Sequence, residues 1–307
     1  MLFLSTVFVL VLSVCAQGAN ILLTDDDGWA SAMIRAQYNA LKAAGHNVIL
    51  SAPARDQSGT GSSSAAPGPL SKPCEFNTCA PGSPAVGFDA SDTRINYVNA
   101  FPIDSVRYGI QTLSPKFFGG RPDFVISGPN VGKNLGRTVM VSGTIAAASE
   151  AAIEGIPSVA FSGDGHDLGL GRVSYTTLTT DPLSTSSLAA NIYASLTTTF
   201  TNALLASPSR PILPSGIILN VNYPSISECH YASDFSFILT RVQPSSRSTD
   251  VRTCGTNRLP VERDVVYMEG CFATVSVINA HTKSDVDAAT QDVVLSRLGG
   301  LLKCLPN

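Results

Sequence analysis

Three consecutive carboxylates, Asp25, Asp26 and Asp27, stand directly before Gly28. At a few ångströms their repulsion is on the order of 1 to 4 kcal/mol per pair, and a bound divalent cation reverses its sign. Further along, Gln57-Ser58-Gly59-Thr60-Gly61-Ser62 offers a flexible backbone with hydroxyl oxygens, and Ser58 can complete an oxygen ligand set. The run Ser127-Gly128-Pro129-Asn130-Val131-Gly132-Lys133-Asn134-Leu135-Gly136 repeats that mixture, with Asn130 able to lend a neutral carbonyl oxygen to a hard cation. Ser142-Gly143-Thr144 opens an Ala-rich segment. A helix starting there would aim unpaired backbone N–H groups and a positive dipole end at an anion. Taken singly, each motif is also an ordinary turn or helix cap.

The motifs gain meaning from the elements that precede them. Ile21 to Leu23 form a short apolar strand ending at the acidic run; Ala30, Ile34, Tyr38 and Leu41 then recur at helical spacing until Gly45, and Val48 to Leu50 restart a strand. This is a β-α-β unit, whose parallel strands need a crossover helix. Residues 53–84, rich in Ser, Gly and Pro, read as a long surface loop. Asp104 can cap a helix near Ser105 to Leu113. A strand at Phe124 to Ile126 follows, and then a helix from Thr144 to Glu154 closed by Gly155 and Pro157. Val159 to Phe161 supply another strand, and Leu188, Ile192, Leu196, Phe200 and Leu204 mark a longer helix. Strands at Ile217 to Val221 and near Ala273 to Ile278 come next, with a last helix from about Asp285. The alternation predicts a doubly wound, mostly parallel, Rossmann-like α/β sheet with a less regular, β-rich, Cys-bearing extension over 225–275. In such sheets ligands bind beyond the carboxyl ends of the strands, where all four motifs fall.

Composition narrows the function classes. The 307 residues include only 14% charged and 44% hydrophobic side chains, which argues against disorder. With 20 Lys+Arg against 23 Asp+Glu and a net charge of −3, the chain lacks the basic footprint of a duplex-binding protein. Leu2 to Cys15 form an apolar run ending in small residues, too short to span a membrane, and read as a signal peptide over 1–16. The mature domain would then be 17–307, secreted and not membrane-bound. Cleavage there leaves Cys74, Cys79, Cys229, Cys254, Cys271 and Cys304. An even count in an oxidising compartment points to disulfides, with Cys74–Cys79 the one pair that proximity favours.

With these residues in view, the chain resembles the SurE-like metal-dependent phosphatases, also called survival-protein or 5′/3′-nucleotidases. The family's NDDG resembles Asp25-Asp26-Asp27-Gly28, and its AP…SG loop resembles Ala52-Pro53 with Gln57-Ser58-Gly59. Its SGxNxGxNxG resembles Ser127 to Gly136, its SGT-led helix Ser142 to Pro157, and its NxNxP Asn220, Asn222 and Pro224. The resemblance implies that Asp26, Asp27, Ser58 and Asn130 hold one divalent cation, Mg²⁺ or Mn²⁺ with Ca²⁺ also suited to oxygen ligands. It implies that Asn134, Ser142, Gly143 and Thr144 face a phosphate. It also nominates His281, after the strand Ser276 to Ala280, as the acid that protonates the leaving group, ahead of His46, His166 and His230.

Asp25 departs from the family's Asn, and Arg137-Thr138 replace an acidic pair found in many members. The activity implied is hydrolysis of nucleoside monophosphates or other small phosphate esters by water, with Asp26, Asp27 and His281 in catalytic roles. Homodimers or larger assemblies are implied as well. The departures keep a second reading open, a non-catalytic binder of metal and nucleotide. A dinucleotide enzyme is disfavoured, since no GxGxxG follows the first strand and three carboxylates there would repel a pyrophosphate.

Overall fold

The computed structural model describes residues 18–165 and 171–306; the leader read over 1–16 and His166 lie outside the described residues. Strand β1 (Asn20–Thr24) sends Ile21 and Leu23 to one face and Leu22 to the other, following the two-residue period of a strand. All three are fully buried, so both faces of the sheet at β1 are covered.

Helix α1 (Ala32–Ala43) and strand β2 (Asn47–Pro53) complete the first β-α-β unit. The hairpin β3 (Val86–Asp89) and β4 (Asp92–Val98) follows, then α2 (Pro102–Tyr108), α3 (Ser114–Phe118) and β5 (Phe124–Val131). Helix α4 (Gly143–Ile153), β6 (Ser158–Gly163), α5 (Thr177–Thr180), α6 (Thr185–Ala206) and β7 (Ile217–Asn222) continue the alternation. The chain ends with β8 (Ser236–Thr240), α7 (Glu262–Val266), β9 (Phe272–Asn279), α8 (Ala288–Leu298) and β10 (Leu302–Lys303).

Among the described residues, ten strands form one sheet in the order β10-β8-β9-β7-β6-β5-β1-β2-β4-β3. Neighbours pair in parallel except at β3/β4 and β7/β9. Helices α1 and α6 pack on one face; α2 and α4 cover the other, where Val106, Ala147 and Ala151 meet Leu22, Ile49 and Val125. From β1 the chain steps to β2 on one side and later returns to β5 on the other. The β1/β5 boundary is therefore the topological switch point, where a crevice opens beyond the strand ends.

The doubly wound α/β sheet expected from the alternation is the one found. The helix expected near Ser105 begins three residues earlier, because Pro102 suits a first turn and Asp104 Oδ2 reaches back to accept from Phe101 N at 3.3 Å. Strand β8, inside the stretch read as irregular, is a five-residue apolar segment that joins the same sheet beside β9. Disulfides link Cys74–Cys79, Cys229–Cys271 and Cys254–Cys304, the last two tying the carboxyl-terminal strands and loops together. Among the described residues, no helix is long and apolar enough to cross a membrane.

The packing on the α6 face centres on Phe161, fully buried and 5.5 Å from Phe200 and 6.2 Å from Tyr223 between ring centroids. Phe161→Ala should lower stability by about 3 to 5 kcal/mol, since it removes a ring from a site that cannot collapse. Urea unfolding of the two proteins measures this; a difference below about 1 kcal/mol would contradict the packing described.

Candidate active site

Past the end of β1 the chain turns at Gly28, whose φ of +89° suits glycine, and the space where a Cβ would sit lies 2.0 Å from Glu75 Oε2. This turn points Asp25, Asp26 and Asp27 inward; Asp25 and Asp27 are fully buried, and Asp26 nearly so. Asp25 Oδ1 accepts from Asp26 N at 2.9 Å, which turns the extra carboxylate back onto its own loop. Asp26 Oδ1 accepts from Thr144 Oγ1 at 2.6 Å. Helix α4 approaches Asp26 so closely that a Cβ on Gly143 would lie 2.7 Å from Asp26 Cβ. Only glycine fits there. Asp27 accepts from Val131 N, the last residue of β5, and from Arg172 Nη1 at 2.9 Å.

Asn134 is the hub on the β5 side. Its backbone N donates to Asn222 Oδ1 at 2.8 Å, and its carbonyl accepts from Asn220 Nδ2 at 2.8 Å and Asn222 Nδ2 at 3.3 Å. Its side-chain Nδ2 donates to Ser162 Oγ at 2.8 Å and Thr144 Oγ1 at 3.2 Å. A continuous polar chain thus runs from β7 through Asn134 and Thr144 to Asp26. Ser142 caps α4, its Oγ accepting from Ile145 N at 3.1 Å. Thr144 is therefore committed, and the donors left at this helix start are the Ser142 hydroxyl hydrogen and backbone N–H groups.

Burial dominates the electrostatics. Desolvation pushes the Asp27 carboxyl up to about 8, the charge of Asp26 adds to this, and Val131 N–H and Arg172 oppose it. Desolvation also raises Asp26, and raises Asp25 well above the usual carboxylate range with help from Asp27 and Asp26. Burial therefore favours the neutral form of Asp25, which lessens the negative charge this loop presents to an anion.

The donor set fits a hard divalent cation. Asn130 Nδ2 is pinned to Gly132 O at 2.6 Å, while its buried Oδ1 has no hydrogen-bond partner among the described residues. Ser58 Oγ lies 3.1 Å from the same Arg172 Nη1 that contacts Asp27. Among the described residues no three His, Cys, Asp or Glu side chains converge as a metal cage. The fit rests on two carboxylates, one hydroxyl and one amide oxygen, a set suited to Mg²⁺, Mn²⁺ or Ca²⁺.

The fold brings Asp26, Asp27, Ser58, Asn130, Asn134, Ser142, Gly143 and Thr144 to one edge. It does not bring His281 there, which corrects the role read for it in sequence. Strand β9 runs antiparallel to β7, pairing Asn279 with Ile217, and His281 lies beside Gly216 at the amino end of β7. The six residues of β7, at about 3.3 Å each, separate that end from the site by roughly 16 Å. His46 ties α6 to the start of β1 through Asn202 and Ala19 N, and His230 is exposed. Arg137 and Thr138, at the family's acidic pair, are both exposed.

Three charged residues at the site went unread in the sequence. Arg172 Nη2 bonds Asp56 Oδ2 at 2.7 Å, and Arg172 Nε lies 3.9 Å from Glu75 Oε1. Desolvation raises Glu75 to about 7, against the pull of Arg172. Only the position of Glu75 between the paired Cys74 and Cys79 gave a signal for it.

Residues 21–247 match the family described as Survival protein SurE. The chain belongs to the SurE family. It is 33% identical over 317 residues to an acid phosphatase of Yarrowia lipolytica, covering 93% of this chain and 86% of that one. It is 35% identical over 209 residues to a 5'-nucleotidase SurE of Lawsonia intracellularis, covering 68% and 67%. The crystal structure of the SurE protein from Aquifex aeolicus shares the fold, with a TM-score of 0.59 over 90% of this chain and 98% of that one at 23% identity.

The buried acids of this SurE fold predict a pH dependence. Unfolded, these carboxyls ionise near 3.8; folded, Asp27 keeps its proton until about 8. Their contribution to stability is complete below 3.8 and is lost as pH rises through the folded value. In chelator, the unfolding temperature should fall between pH 5 and 8, and Mn²⁺ should raise it more at pH 8 than at pH 5. Differential scanning fluorimetry reads both; an equal Mn²⁺ effect at the two pH values would count against these carboxylates as ligands.

Proposed function

We propose that this SurE-family protein is a divalent-metal-dependent phosphomonoesterase acting on nucleoside monophosphates or other small phosphate esters. One observation carries the reading: Asp26, at the end of β1, is hydrogen-bonded to Thr144, at the start of α4, and Thr144 to Asn134. Oxygen donors for a cation and N–H donors for an anion thereby share one buried edge. The names of the relatives in Yarrowia lipolytica and Lawsonia intracellularis support hydrolysis of phosphate esters.

Asp26, Asp27, Ser58 and Asn130 would hold the ion, which supplies charge neutralisation at a phosphoryl oxygen and lowers the pKa of a water. The N–H groups opening α4 bind and orient the phosphoryl oxygens, so that charge developing there meets fixed dipoles, and Asn134 Nδ2, donating to Ser162 and Thr144, holds Thr144 against Asp26. Ser162 and Asn222 hold Asn134 in that orientation. Burial of Asp25 excludes water from behind the acidic loop. Three disulfides support work in an oxidising, extracellular setting. Self-association belongs to the same reading and rests on the family alone.

Phosphate release from a nucleoside monophosphate should stop in EDTA and return with Mg²⁺ or Mn²⁺. Asp26→Asn should reduce kcat/KM by at least about 10²-fold, and Asn134→Ala should reduce kcat by about 10²- to 10³-fold. His281→Ala should stay within about threefold of the parent; a fall of 10²-fold or more would restore it as the general acid. Activity indifferent to chelation would sink the metal-dependent reading. Tight nucleotide binding without turnover would favour a non-catalytic binder.

A further inference from the structure

Glu262 is the first residue of α7 and is fully buried, yet among the described residues no Lys or Arg pairs with it. It lies beyond the segment 21–247 that matches the family. Its Oε1 accepts from Gly136 N at 2.9 Å, and its Oε2 accepts from Asn220 Nδ2 at 3.1 Å and lies 2.8 Å from Ser276 Oγ. A buried carboxyl without a cation is costly, and an apolar side chain of similar volume would serve packing better. What it touches is the base of the loop that presents Asn134.

We infer that Glu262 is a positioning residue: from outside the family-matched segment it clamps the 134–136 backbone to β7 and β9 and so fixes Asn134, which holds Thr144 against Asp26. Two clamps act in parallel. Gly136 N is held directly, and Asn220 Nδ2 is shared between Glu262 Oε2 and Asn134 O. With the backbone of Asn134 fixed, its side chain has one course, toward Ser162 and Thr144, and Thr144 in turn bonds Asp26. Burial raises the carboxyl to about 8. Ser276 Oγ donates to Oε2 at 2.8 Å and in turn lies 2.8 Å from Thr240 Oγ1, which can donate to it. Glutamine keeps an acceptor for Gly136 N but sets an NH₂ where Oε2 accepts from Asn220 Nδ2, so it preserves one clamp and loses the other.

The kinetic part of this inference rests on the phosphomonoesterase reading; the structural part does not. The test compares the parent, Glu262→Gln and Glu262→Met, the last keeping bulk while removing the acceptor. Hydrogen exchange would be followed by mass spectrometry in peptides covering 132–138 and α1, with kcat and KM for a nucleoside monophosphate alongside. Glu262→Met should exchange at least about tenfold faster at 132–138 with α1 unchanged, and lose about 10- to 100-fold in kcat with a smaller change in KM. Glu262→Gln, which keeps only the bond from Gly136 N, should fall between the parent and the Met variant in both. Parental exchange at 132–138 in the Met variant, or equal acceleration in α1, would overturn the inference. So would a Gln variant as impaired as the Met variant. If the Met variant does not fold, Glu262→Asp, which withdraws the carboxyl by one methylene, replaces it with the same outcomes decisive. A parent that hydrolyses no phosphate ester removes the reading of function, and the exchange result still decides the clamp.

Discussion

Three adjacent carboxylates buried at the end of β1 set the terms for everything around them. Buried like charges are tolerable only if they are neutralised, hydrogen-bonded or paired. All three solutions appear: Asp25 is turned onto its own loop in surroundings that favour its neutral form, Asp26 is bonded by Thr144, and Asp27 takes Val131 N–H and the Arg172 guanidinium. The start of α4, the end of β5 and the segment carrying Arg172 therefore converge because the acidic run needs their donors. The same donors shape an edge suited to a hard cation and a phosphate.

The switch point explains why this edge is available. Strands β2 and β5 leave β1 in opposite directions across the sheet, so no crossover connection closes the space between the β1 and β5 loops. Glycine is required where α4 presses on Asp26, since a side chain at Gly143 would displace either the helix or the carboxylate. Further out, Asn220 and Asn222 project from β7 to hold Asn134, a task that apolar residues inside a buried strand could not perform. The polar interior of this part of the sheet is a scaffold for one loop.

Much of the site was legible because its parts are local. A strand ending in Asp25-Asp26-Asp27-Gly28, a Gly- and Asn-rich loop after Phe124 to Ile126, and a Ser-Gly-Thr helix start each carry their chemistry within a few residues. Strand-end placement then follows from the doubly wound pattern. Arg172 was not legible, since a lone Arg has no periodicity and its partners Asp27, Asp56 and Ser58 are more than a hundred residues away. His281 was misread for a related reason. A strand followed by a histidine looks the same whichever way the strand runs, and only the antiparallel β7/β9 pairing decides which edge the histidine reaches.

By itself the sequence determined the alternating elements, the polar strand-end motifs that meet at one edge and the glycines that let the backbone turn, because each depends on spacing and side-chain chemistry over short stretches. Tertiary structure alone decided strand direction in the carboxyl-terminal part, the pairing of the four cysteines beyond Cys74 and Cys79, and the burial that changes how aspartates and Glu262 hold their protons. Direction, pairing and desolvation are properties of neighbours distant in the chain, and no window of residues contains them.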